Sequence, residues 1–377
     1  MIASWIAAAG QIHWAWRWDG VFPVITTSSL SWNPTDAWDE TIRECSVIVC
    51  CRNEAEQLLP LEQGLLPALN RWENAGNKVE VVVVDDGSTD ETWEGLLDIA
   101  KRDSRWKPTR IEGSRPGKKD AITHAMGMAS FHVRVLLDAD CRPRDASWLA
   151  HMTHGASTSW DVMVGVGWPV EAYNREARQA KGWLARLQVL EAQRLAQKAV
   201  GAARGGRPYL AFGRNMALTK TAWEMSHGMD SHSHIPSGDD DLWLQEAVAG
   251  GARVLTCIKP EAHTESAWPT TWKAWRRQKT RHFSASPSYP WTIKLWLLVP
   301  GMLWWVLVAG VVHNPGVVSI GALGLALTHR TLTFGLFLRQ TGQPGFSAWR
   351  LVLEPAVSAF RVWSWWRGQQ PESTPWK

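Results

Sequence analysis

Asp138 and Asp140 stand one residue apart, at the end of the apolar run Val135-Leu136-Leu137. A buried strand that ends this way sets acidic side chains at its carboxyl end, where open α/β sheets bind their ligands. Alternate residues of a strand face the same side, so the two carboxylates point together. Two hard oxygen donors suit a divalent cation that also holds substrate phosphates. A second strand of this kind, Val81 to Val84, runs into Asp85-Asp86-Gly87-Ser88-Thr89-Asp90. Two acid-tipped strands in one chain point to an enzyme that uses a metal and a nucleoside diphosphate.

Further groups able to do chemistry lie downstream and upstream of these strands. Asp239-Asp240-Asp241 follows Ser237-Gly238. A neighbouring acid raises a carboxylate's pKa, which suits a general base, and such a run can also cap the helix that follows. Lys118, in Gly117-Lys118-Lys119-Asp120-Ala121, offers a point charge to a phosphate. Gly213, in Phe212-Gly213-Arg214-Asn215, leaves room for a ligand at the backbone. Arg281, in Gln278-Lys279-Thr280-Arg281-His282, carries a planar fork of donors matched to phosphate. His232-Ser233-His234 has no third ligand beside it and reads as a polar loop.

The elements that must position these groups alternate. Strands are expected at 45–51, 79–84 and 133–137, with helical spacing over 55–73 and a helix opening at Asp90-Glu91-Thr92, whose acids suit its dipole. Alternation of this kind predicts an α/β fold, with a mostly parallel sheet and helices on both faces. A long amphipathic helix is expected over 175–200, ending at the glycines 201–206.

The last third is different. Residues 291–312 carry one charge, Lys294, and as a helix would extend about 33 Å, enough for a bilayer core. Residues 316–338 form a second candidate span that contains His329 and Arg330, and Asn314-Pro315-Gly316 makes the turn between the two. Residues 349–366 read as an amphipathic, Trp-rich surface helix. Residues 1–24 begin apolar but soon meet Gln11, His13, Arg17 and Asp19, which predicts a weak anchor or interfacial helix. The basic cluster Lys273, Arg276, Arg277, Lys279 and Arg281 precedes the hairpin, while Arg339 and Arg350 follow it, so both hairpin ends are expected in the cytoplasm.

Composition narrows the classes. The 377 residues suffice for one large domain with an appendage, and a net charge of +4 gives no reason to expect nucleic acid. The 27 Trp, many near apolar segments, suit a membrane interface. The five Cys include no C-x-x-C pair, which argues against zinc and for small buried residues in a reducing compartment.

Taken in order, these motifs resemble those of family-2 glycosyltransferases with the GT-A fold, of the membrane-anchored kind that includes cellulose synthase-like and lipid-linked glycan transferases. The likeness covers residues 43–283 and the hairpin. It implies inversion at the anomeric carbon, a UDP- or GDP-sugar donor, Mg²⁺ or Mn²⁺, and a lipid-linked or glycan hydroxyl as acceptor. Arg52, Glu54, Asp85, Asp86 and Lys118 would then meet the nucleotide, and Asp138 and Asp140 the metal. Gly213, Asn215, Gln278, Arg281 and His282 would border acceptor and diphosphate, with His282 standing where the family has Trp. The base is Asp240 if Gly238-Asp239-Asp240 matches the family's Gly-Glu-Asp, and Asp239 if Leu242 sets the register. The former is preferred.

The expected organisation is an anchor or interfacial segment 1–42, a GT-A domain 43–270, a basic interfacial helix 271–290, a transmembrane hairpin 291–340 and a Trp-rich tail 341–377. The catalytic domain would sit on the cytoplasmic side of the membrane, in contact with its lipids. A sugar-phosphate nucleotidyltransferase would need a Gly-rich loop after its first strand, where this chain has Arg52-Asn53-Glu54-Ala55. A non-catalytic scaffold would have lost the acidic motifs, and all are present.

Overall fold

The computed structural model describes residues 2–18, 42–112, 115, 117–156, 158–170, 182–344 and 349–368. Parts of three expected segments lie outside these residues: 19–41 of the N-terminal segment, 175–181 of the long helix and the tail beyond 368.

Seven strands form the central sheet in the order β3 (Trp106–Ile111), β2 (Lys78–Asp86), β1 (Glu44–Cys51), β4 (Val133–Asp138), β8 (Met216–Thr219), β6 (Val162–Val164), β9 (Val254–Thr256). Only β8 runs against its neighbours; every other pairing in this sheet is parallel. The central strands are rich in Val and Ile because both of their faces are covered. Val47, Val49, Val81, Val83, Val135 and Leu137 face one core, with α2 (Ala55–Asn74), α3 (Thr92–Arg102) and α5 (Trp148–Thr153). Ile48, Val82, Val84 and Leu136 face the other, with α4 (Lys119–Met128), α7 (Lys220–Met225) and α8 (Asp241–Ala249). The neighbours Cys50 and Cys51 divide between the two faces, as a period of two requires.

A second sheet of three short strands has the order β5 (Cys141–Pro143), β10 (Thr264–Ala267), β7 (Gly167–Val170). It begins one residue after Asp140. The long helix α6 is found at Gly182–Arg204, and α9 (Trp272–Phe283) carries the basic cluster.

The hairpin is present as α10 (Trp291–His313) and α11 (Val317–Gln340), both long and apolar enough to cross a membrane. α1 (Ile2–Trp18) packs against both, and α12 (Trp349–Gly368) packs against α6 and α9. Not all the tryptophans serve an interface: Trp148, Trp160, Trp243 and Trp275 are fully buried, the first three around the central sheet.

Candidate functional site

The sheet register sets the site. β1 lies between the two acid-tipped strands, with Cys51 opposite Asp85 and Cys50 opposite Asp138. The two acidic tips are therefore about two strand spacings apart, roughly 10 Å, at one edge of the sheet.

At the β2 tip the carboxylates are buried and partnered. Asp85, fully buried, accepts from the Ser88 amide at 3.1 Å and forms an ion pair with Arg110 Nε at 3.2 Å. Asp86 lies 3.7 Å from Arg52. Asn53 takes a left-handed backbone, φ 54°. There its carboxamide oxygen accepts from the Thr89 amide at 2.9 Å, and its own amide donates to Ser88 Oγ at 2.9 Å. The amide of buried Glu54 donates to Thr92 Oγ1 at 2.8 Å, and that of Ala55 to Asp90 at 3.2 Å. The two loops are thus stapled into one platform. Asp90 belongs to the staple, and the Thr92 hydroxyl and backbone amides that outweigh its slight burial keep it ionised below the usual carboxylate range.

At the β4 tip, charges converge with more solvent. Asp138 and Asp140 are half-buried, and their oxygens lie within 4.8 Å of each other and of Cys141 Sγ. Burial, then the charges of Asp140 and Asp138, push the Cys141 thiol well up, so it stays protonated and donates to Asp140 at 3.3 Å. The two carboxylates are left as oxygen donors, a set that fits Mg²⁺ or Mn²⁺ better than a softer ion.

Lys118 joins this tip to the acidic run. Its ammonium donates to Asp138 at 2.8 Å and sits 3.1 Å from Asp239. Burial alone would push its pKa down, but Asp138, Asp239 and Asp240 outweigh burial and hold it charged. A Cβ on Gly213 would come 3.2 Å from Lys118 Nζ and 3.7 Å from the Asp240 Cβ, so glycine keeps this junction open. The neighbouring Lys119 is fully buried and donates to the Ser237 carbonyl at 3.0 Å, which ties α4 to the acidic loop. Gly117, at φ 77°, lets the lysine loop approach closely; a Cβ there would meet the Pro236 carbonyl oxygen at 2.6 Å.

The three acids divide by environment. Burial would raise Asp239, but Lys118 and Lys119 overcome it and bring it down to about 2. Asp240 accepts from the Gly213 amide at 3.0 Å and from the Asp241 amide at 2.9 Å; burial, then the charge of Asp239, raise it to about 6. Asp241 is buried, accepts from the Tyr289 hydroxyl and the Leu242 amide, and is raised to about 7 by burial and Asp240.

Asn215 departs from its expected place beside the substrate. It is fully buried, its oxygen accepts from Trp148 Nε1 at 3.0 Å, and its nitrogen donates to the Val166 and Ala262 carbonyls at 2.8 and 2.9 Å. Both amide donors are used and the oxygen, which accepts from Trp148, is out of solvent, so the carboxamide braces the loop that holds Gly213. Gln278, Arg281 and His282 lie on α9, whose end meets the acidic loop through Ser284 Oγ and Ser237 Oγ, 2.9 Å apart. His282 is exposed, and Gln278 and Arg281 are half-buried. Lys279 is in a buried ion pair with Glu191 of α6 at 2.5 Å. His232 pairs with Glu246 at 3.2 Å, as part of a polar loop.

Sequence reasoning missed Lys119, Tyr289 and the bracing role of Asn215. Each acts across 47 or more residues of chain, and the available signals were slight: a doubled lysine, and one of only three tyrosines.

Residues 46–212 match the model of Glycosyl transferase family 2. No curated protein matches the sequence. Among solved structures, a mannosyltransferase from Pyrobaculum calidifontis, PcManGT, in complex with GDP-Man and Mn²⁺, aligns with 97% of this chain and 94% of its own, at TM-score 0.54 and 19% identity. S. aureus TarS 1-349 in complex with UDP-GlcNAc aligns with 85% of this chain and 89% of its own, at TM-score 0.43 and 13% identity. Residues 46–212 are thus similar to the glycosyltransferases of family 2, and the fold is the GT-A fold.

Proposed function

We propose that the protein is a metal-dependent, inverting glycosyltransferase that moves a sugar from a UDP- or GDP-sugar to the hydroxyl of a lipid-linked acceptor. One observation carries this reading: the β4 tip and the acidic loop meet at Lys118, beside the backbone opening at Gly213. In this reading the β2 platform, with Arg52, Glu54, Asp85 and Asp86, holds the nucleoside. Asp138 and Asp140 hold Mg²⁺ or Mn²⁺, which when bound neutralises charge on the departing diphosphate. The fold shared with a protein solved with GDP-Man and Mn²⁺ is in keeping with that choice.

Asp240 acts as the base. Its raised pKa places it near neutrality, where proton acceptance is most efficient. It takes the proton of the acceptor hydroxyl as that oxygen bonds to the anomeric carbon, and the bond from that carbon to the diphosphate breaks. Asp239 stays paired with Lys118 and holds it in reach of phosphate. Gln278, Arg281 and His282 flank the acceptor side.

The lipid-linked acceptor is favoured over a soluble glycan by the join between site and hairpin. Tyr289, which binds Asp241, lies two residues before α10, and Trp296 of α10 packs edge-on against Tyr209 at 5.3 Å. The acidic loop thus sits at the entry to the first membrane helix. We assign the anchor to 291–340 with 271–290 at the headgroups, and the catalytic domain, 43–270, to the cytoplasmic side. Within the tail, α12 packs against α9 and α6.

The test is a transfer assay with radiolabelled UDP- and GDP-sugars, Mn²⁺ and membrane lipid extract. Label should move into the organic phase with the native enzyme and not with Asp240→Asn. Equal transfer by Asp240→Asn would remove it as the base, and no turnover of any donor would reject the reading.

A further inference from the structure

The helix α1 has a packing pattern opposite to that of a helix on a water-soluble core. Its small residues Ser4, Ala7 and Ala8 are buried, while Trp5 and Ile6 are 46% and 65% exposed. The buried alanines join Leu307 of α10 and Ala322 and Ala326 of α11 in one cluster. In water, such an arrangement wastes its largest apolar side chains. In a bilayer it is favourable, because lipid is as apolar as Leu and small residues let helices approach closely.

The contacts also fix direction and depth. A Cβ on Gly10 would come 2.9 Å from Leu303, and a Cβ on Gly310 would overlap the Ser4 hydroxyl. From Ser4 to Gly10 along α1, the partner on α10 runs back from Gly310 to Leu303, so the helices are antiparallel. Extending this pairing at about 1.5 Å per residue brings Ile2 level with the end of α10 and Trp18 level with its start. Wherever α10 crosses, α1 crosses beside it.

The chemistry along α1 agrees with this direction. Residues 2–10 contain no charge, whereas Trp14, Trp16, Arg17 and Trp18 come at the other end, level with the start of α10, a composition that suits a headgroup layer. Large apolar side chains on the hairpin face outward as well: Leu298, Met302, Trp305 and Ile320 are each at least 55% exposed. α11 carries Arg339 in its last turn and Arg330 nearer its middle; the Arg330 guanidinium lies over the Trp304 ring at 5.7 Å, so its charge is met by protein.

We infer that α1 is a third membrane-spanning helix, packed antiparallel to α10, and that the amino terminus lies across the bilayer from the catalytic domain. This rests on the membrane assignment of the hairpin, but not on the chemistry of the site. It replaces the sequence expectation of a weak anchor or interfacial helix, since a helix lying flat at the interface would need a polar face along residues 2–10.

The full-length protein with an amino-terminal epitope tag tests this in sealed membrane vesicles whose catalytic domains face outward. Added protease should degrade the catalytic domain and leave the tag intact until detergent opens the vesicles. Loss of the tag together with the domain, in sealed vesicles, would overturn the inference while leaving the hairpin in place. Recovery of the whole protein in the soluble fraction would overturn both. A second arm replaces Gly310 with Leu. In the crossing arrangement this wedges α1 from α10 and makes the tag protease-sensitive in a larger fraction of molecules; an unchanged protected fraction counts against the packing that defines the crossing.

Discussion

The tips of β2 and β4 begin alike, as apolar strands running into aspartates on either side of β1, yet they end in different states. Asp85 and Asp86 are buried, and arginines and backbone amides already meet their charge. Asp138 and Asp140 remain half-open, and a single lysine, shared with Asp239, meets Asp138. A carboxylate neutralised by rigid partners can orient a ligand but has little capacity for a metal. A partly solvated pair keeps that capacity. In the proposed reading the same motif chemistry serves recognition at one tip and charge handling at the other, and the neighbours decide which.

Substitutions at both tips and at the acidic loop can break or sharpen this contrast. The largest effect is expected for Asp240→Asn, a fall in kcat of ~10²–10⁴ with donor binding retained, measured by steady-state turnover and donor titration. Native activity should rise with pH through about 6, because the base works only when deprotonated. In Asp239→Asn that limb should shift to lower pH, since the charge of Asp239 is, after burial, the main cause of the raised value. A limb left in place would show that another group titrates.

Next, Asp140→Asn should lower kcat/KM by ~10² or more and weaken Mn²⁺ binding, whereas Asp85→Asn should raise the donor KM by about tenfold and leave Mn²⁺ binding unchanged. Electron paramagnetic resonance of Mn²⁺ separates the two. Equal loss of metal in both variants would erase the distinction between the tips.

Smaller effects test the platform and the buried acid. Asn53→Ala removes the staple and leaves a non-glycine residue at positive φ, for a loss of about 1–2 kcal/mol in urea unfolding. Asp241 is raised in the folded protein to about 7 from an ordinary value of 3.8. Its contribution to stability is therefore complete below about pH 4 and lost as pH rises through about 7. Asp241→Asn mimics the protonated form, so its Tm should exceed that of the native protein at pH 8 and converge with it toward pH 4. A constant difference across that range would exclude titration of Asp241.

How far the sequence disclosed this arrangement depended on the distance over which each feature is set. The acid-tipped strands were legible because a run of Val or Leu and a following Asp are neighbours in the chain. β3 was missed: Trp-Lys-Pro-Thr-Arg-Ile has little apolar pattern, and Pro108 is tolerated because the strand lies at the sheet edge. The reversal at β8 and the small sheet of β5, β10 and β7 were also hidden, since their partners are as much as 125 residues apart. Within the site, Asp239, Asp240 and Asp241 could be grouped but not ranked. Asp239 is set apart by Lys118 and Lys119, far off in sequence, and Asp240 and Asp241 are raised first by a burial that the sequence does not display and then by the acid before each. The packing of α1 was unreadable for the same reason: a stretch such as Ala7-Ala8 shows its partner only when Leu307 and Ala326 are placed beside it.

The most direct measurement is titration calorimetry of UDP- and GDP-sugars into native protein and Asp140→Asn, each with Mn²⁺ and after chelation. If cation and diphosphate meet at the β4 tip, a donor binds the native protein with Mn²⁺, and that affinity falls by at least tenfold on chelation and in Asp140→Asn. Donor binding of equal strength in all four conditions would contradict the account.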